Sequence, residues 1–122
     1  MRPNMSDLDF TICCTVTFFS KKRRTPPNLN NGKYCSHLVI KGAEQLLGVN
    51  FIDGEDVIFN KQIGANALPL YETVDYSALQ AGTEFLIMES GNIVGEGIVT
   101  EIFQHKPHGK NNCSVLYLLE FI

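Results

Sequence analysis

The sequence predicts an all-β fold: a single antiparallel β-barrel with an added C-terminal strand. Three observations predict it. Apolar residues alternate with small polar ones in several short stretches, which is the period of a half-buried strand. Gly, Pro and Asn clusters separate those stretches at short intervals. No stretch keeps a helical period for more than about one turn. At 122 residues the chain fits one domain, with residues 8–103 as the barrel and 104–122 as an extra loop and strand.

Residues 8–18 form the first strand. Leu8, Phe10, Ile12, Cys14, Val16 and Phe18 alternate with Asp9, Thr11, Cys13, Thr15 and Thr17. A long loop follows, because Pro26-Pro27 and an Asn-rich run into Gly32 cannot sustain a ladder. Residues 37–40 and 46–52 are the next strands, joined by a short polar link through Gly42. Asp53-Gly54 reads as a turn and residues 55–60 as a further short strand. Residues 67–71 are strand-like, and Pro69 points to an edge or a bulge. Residues 75–80 are the one stretch suited to a helical turn. Residues 83–89 and 92–103 pair across a tight turn at Ser90-Gly91, and Gly95 and Gly97 predict a bulge or a close backbone approach. A polar loop, 105–112, leads to a final strand, 113–122, in which both faces are largely apolar. That strand is expected to extend the barrel beside residues 92–103 or to offer an edge for a homodimer.

Charge is unevenly distributed. Residues 1–41 hold seven cations against two acids, and residues 42–122 hold three against eleven. If the fold separates them, one face is basic and another acidic. No apolar run is long enough to cross a bilayer, and the first residues show no secretory pattern, so a soluble cytoplasmic protein without membrane contact is expected. The cysteines, Cys13, Cys14, Cys35 and Cys113, form neither a CxxC motif nor a dense disulfide framework and read as free thiols.

Three segments in order resemble the third domain of bacterial elongation factor Tu. The run Gly32-Lys33-Tyr34-Cys35-Ser36-His37-Leu38-Val39-Ile40 resembles that domain's Gly-Tyr-Arg-Pro-x-Phe segment, and the preceding residues 21–27 resemble its basic, Pro-containing loop. Residues 74–85 resemble the stretch before its last hairpin. Residues 85–99, with Gly95 and Gly97, resemble the hairpin itself. The resemblance implies a six-stranded antiparallel barrel without catalysis, used in that factor to hold tRNA, the exchange factor and sister domains. The chain departs from it at Cys35 and Ser36, which replace Arg and Pro. It departs again at residues 90–93, where the family's basic residues are absent, and at Glu96 between the glycines.

Catalytic constellations are weak. His105, His108 and Cys113 have zinc-binding chemistry but no fourth ligand, and a solvated loop accounts for them. Cys35 and His37 share a strand face without an orienting acid. Asp53, Glu55 and Asp56 read as a charged turn, since no acid–base partner is evident. Gly95-Glu96-Gly97 lies in a hairpin rather than opening a helix, so it is no dinucleotide site. No catalytic residue, metal or cofactor is expected. The expected role is a non-catalytic protein-binding module. Its acidic surface, carried by Glu55, Asp56, Glu84, Glu96 and Glu101, would take a basic partner, of which a nuclease toxin held by an immunity protein is one example. The alternative is a translation-associated tRNA- or RNA-binding module using Lys21, Lys22, Arg23, Arg24, Lys33 and Lys41.

Overall fold

The computed structural model describes residues 9–105. Six strands close an antiparallel barrel: β1 (Phe10–Phe18), β2 (Cys35–Ile40), β3 (Leu47–Gly54), β4 (Ile63–Pro69), β5 (Glu84–Glu89) and β6 (Asn92–Gln104), in the order β1-β4-β3-β2-β5-β6. The all-β barrel expected from the sequence is therefore the fold. A barrel of this size has room inside for side chains alone. Ile12, Val16, Phe18, Leu38, Val49, Phe51, Phe85 and Ile87 are all fully buried and fill it. Their alternation with Thr15, Thr17 and Asn50 is the period-two pattern written in the sequence.

Closure depends on β1 and β6. They pair from Phe10↔Gln104 to Phe18↔Gly95, with one bulge opposite Cys13 and Cys14 that places Thr100 as the extra residue. Gly97 lets β6 pass close to β1. A Cβ built there would stand 2.5 Å from Thr15 O and 2.6 Å from the Phe85 ring. The β5–β6 hairpin turns at Ser90 and Gly91, with φ of 50° and 83°. Positive φ at both central residues is the two-residue hairpin geometry that matches strand twist.

The structure corrects several sequence expectations. Residues 55–60 form no strand, although Val57 and Phe59 pack on the core while Asp56 and Ile58 face out. After the Glu55 amide bonds to Gly64 O at 3.0 Å, the backbone turns away: Asn60 N donates to Phe18 O and Lys61 N to Ile58 O. Asp53-Gly54 is not the turn but the bulged end of β3, paired with Asn66 and Ala65. Residues 75–80 make a turn rather than a helix, closed by Leu79 N to Tyr76 O at 2.9 Å. Pro69 ends β4 opposite Val49, where its missing N–H breaks no later rung. β6 pairs with β5 from Asn92 to Ile98 and with β1 from Gly95 to Gln104, so both of its sides are taken between Gly95 and Ile98. The expected strand 113–122, and any dimer edge it offers, lies outside the described residues.

Because the strands alternate in direction, the β1–β2, β3–β4 and β5–β6 connections share one end, here called upper. The β2–β3 and β4–β5 connections share the lower end. Each end is plugged from a loop. Leu29, 1% exposed, fills the upper end, and Asn30 exchanges two hydrogen bonds with the Gly54 backbone. Tyr76 fills the lower end, where its hydroxyl donates to Gly48 O at 2.6 Å and accepts from the Leu70 and Tyr71 amides.

Candidate functional site

Six of the described cations lie in upper-end connections, Lys21, Lys22, Arg23, Arg24, Lys33 and Lys61, against Glu55 and Asp56 in the β3–β4 connection and Asp53 and Glu89 at the upper ends of β3 and β5. The lower end and its flank hold Asp9, Glu44, Glu72, Asp75 and Glu84 against Lys41. The charge separation expected between faces is thus largely a separation between ends. Lys41 is the exception. Its ammonium bridges Glu84 at 3.2 Å and Glu96 at 3.3 Å on the outside of β5 and β6. Those carboxylates hold its pKa above the ordinary lysine value. Two expected acidic contacts therefore share one expected basic contact.

Arg23 differs from its neighbours in the basic run. Its Nε donates to Glu89 Oε1 at 3.2 Å and lies 3.0 Å from Oε2, and its guanidinium lies 5.5 Å over the Tyr34 ring. Tyr34 donates its hydroxyl to Glu89 and packs against Phe18 and Phe51. Burial, and then the Glu89 carboxylate, push the Tyr34 pKa above its ordinary value. Phe18 meets the ring in an edge contact, Phe51 lies tilted against it, and Arg23 lies over it, so the ring is half-buried among these groups rather than open as a platform for a base. Lys21, Lys22, Arg24 and Lys33 remain exposed.

An open groove of about 490 Å³ crosses the outer face of β1, β4 and the end of β3. Cys13, Thr15, Gly64 and Asn66 keep it open because their side chains are small, and Asp53 and Glu55 line its β3 side. Asn66 donates to Asp53 Oδ1 at 2.7 Å. The Cys13 thiol is pushed up by burial and then by the charges of Glu101 and Asp53. Both causes favour the protonated thiol, and the negative character of the groove comes from the Asp53 and Glu55 carboxylates that line it. Cys14, on the opposite face, points into the barrel, donates to Ala65 O at 3.6 Å, and is pushed up to about 12 by burial and then by Cys13.

Among the expected acidic contacts, Glu55 lines the groove, Glu101 bears on Cys13, Asp56 is exposed beside Glu55, and Glu84 and Glu96 stand with Lys41. The sequence places Asp53 in a turn, whereas in the fold it lies at the end of β3. Its position in a cluster of acids was the available signal, but the bulge that carries it to the groove is not visible in sequence. His105 is held by Asp9 at 2.8 Å and by Thr11 at 2.6 Å, fastening the end of β6 to the start of β1. His108 and Cys113 lie outside the described residues. Among the described residues no group of three or more His, Cys, Asp or Glu is placed to hold a metal. Cys35 is exposed and His37 half-buried on β2, with no hydrogen bond between their side chains among the described residues.

No protein-family model matches the chain, and no curated protein matches it. The resemblance to the elongation factor domain rests on its sequence segments alone.

Proposed function

We propose that the chain is a non-catalytic binding module that takes a basic segment of a partner protein along the β1–β4–β3 groove. The observation that carries this reading is the groove's uncompensated negative charge. No ion pair among the described residues involves Asp53, Glu55 or Glu101, whereas Glu84 and Glu96 already hold Lys41. A lysine or arginine side chain suits such a place, since its alkyl stem can lie along small side chains while its head meets carboxylates. Binding rather than catalysis is supported by the protonated state of Cys13, the thiol facing the groove.

The test is the affinity of an oligolysine peptide for the chain and two variants. Asp53→Asn with Glu55→Gln is expected to weaken binding about tenfold, since 1.4 kcal/mol is one decade. Glu84→Gln with Glu96→Gln is expected to change it less than about twofold. Equal losses in both variants would show a diffuse charge effect and end the groove reading.

A further inference from the structure

The upper end carries a second feature besides charge. Two of its connections present large aliphatic side chains to solvent. Ile58, in the β3–β4 connection, is 53% exposed, and Ile93, beside the β5–β6 turn, is 37% exposed. The backbone knits these connections to the basic one. Asn60 N donates to Phe18 O at 2.7 Å, Asn60 exchanges side-chain bonds with Ser20, and Phe19 N donates to Val94 O at 2.9 Å. Exposed aliphatic groups and the exposed cations Lys21, Lys22, Arg24, Lys33 and Lys61 thus share one end of a closed barrel.

We propose that this end docks peripherally on an anionic lipid bilayer, with Ile58 and Ile93 entering the interfacial region and the lysines meeting lipid phosphates. The two kinds of side chain match what a bilayer surface offers, since apolar burial and attraction to anionic lipids add in peripheral binding. The acidic lower end supplies the orientation. A molecule positive at one end and negative at the other approaches a negative surface end-on. RNA fits this end less well. Sequence-tolerant RNA binding relies on exposed aromatic faces, and at this end the exposed large apolar groups, Ile58 and Ile93, are aliphatic while Tyr34 is half-buried with Arg23 over its ring. No helix among the described residues is long and apolar enough to cross a membrane; docking of this kind needs none, and it departs from the expectation of no membrane contact.

The experiment is co-sedimentation of the full chain with phosphatidylcholine vesicles, made with and without phosphatidylserine. Binding is expected only with phosphatidylserine. Lys21→Ala with Lys22→Ala should lower the partition coefficient about 25-fold, about fivefold per cation. Ile58→Ser with Ile93→Ser should lower it about tenfold or more. Both pairs are exposed, so thermal unfolding of the variants should match the parent and rule out misfolding. No binding to the mixed vesicles would overturn the proposal. So would binding indifferent to the isoleucine pair, or poly(U) RNA retained where the mixed vesicles are not.

Discussion

Arg23 with Glu89, and Lys41 with Glu84 and Glu96, both join the basic first third of the sequence to the acidic remainder, but they do so in different surroundings. Arg23 and Glu89 have side chains only 23% and 27% exposed, and the pair shares Tyr34. The planar guanidinium meets two carboxylate oxygens and an aromatic face together, and it also donates to Thr25 O at 2.7 Å. Lys41 and its partners are 44%, 55% and 45% exposed, and a lysine head there is a solvated point charge. One site fixes a long loop over the barrel end; the other neutralises acids on an open wall. Charges joined across long stretches of sequence thus acquire different weights from burial and from the geometry of the cation.

Both sites are mounted on the β5–β6 hairpin, so the change expected to matter most is one that breaks its contact with β1. Gly97→Ala would push a methyl group to 2.5 Å from Thr15 O and 2.6 Å from Phe85. Thr15 O is backbone, and the Phe85 ring is fully buried, so neither can withdraw cheaply. A loss of about 3 kcal/mol is expected in urea unfolding, with the two ion-paired sites failing in a single transition. A loss below about 0.5 kcal/mol would mean that β6 can move away from β1 without opening the barrel.

The residues at these two sites also mark where sequence reading succeeds and stops. β1 is legible because Thr15 and Thr17, half-buried, alternate with buried Cys14, Val16 and Phe18. The β5–β6 turn was legible because Ser90-Gly91 has few other uses between strands. Val57 and Phe59 misled, since alternation reports which side meets the core and not whether a ladder partner exists. Leu29 and Tyr76 were not seen as plugs because a lone apolar residue in a polar loop has no period. The pairing of Arg23 with a residue 66 positions away, and of Lys41 with residues 43 and 55 positions away, needs the barrel order before it can be inferred. For the same reason the five expected acidic contacts formed a list rather than a surface. Topology puts Glu55 in the groove, Glu101 near Cys13, and Glu84 and Glu96 with Lys41, and leaves Asp56 exposed beside Glu55.

A smaller effect, with a distinctive pH signature, is expected at Tyr34. Tyr34→Phe removes the hydroxyl bond to Glu89 and should cost about 1 kcal/mol at neutral pH. The folded state holds the Tyr34 pKa above its ordinary value of 10, so it favours the neutral phenol. That contribution is complete below pH 10 and is lost as pH rises through the folded value. Above pH 10 the parent should therefore lose stability relative to Tyr34→Phe, by up to about 1 kcal/mol per pH unit. Cys14, also pushed up by burial, is common to both proteins and cancels in the difference. Parallel pH profiles would place the buried Tyr34–Glu89 contact on the same footing as a solvated one.

The smallest effect belongs to Lys41. Lys41→Ala removes a cation held only by exposed carboxylates, so the unfolding midpoint at moderate salt should stay where it is. What should change is the surface, because Glu84 and Glu96 lose their shared counterion and the outer wall of β5 and β6 gains two unpaired acids. If oligolysine affinity then rises while the midpoint holds, Lys41 acts as a local screen that confines the negative field to the groove. A fall in the midpoint comparable to that of Tyr34→Phe would erase the contrast between the two sites and show that Lys41 braces the barrel wall as Arg23 braces its loop.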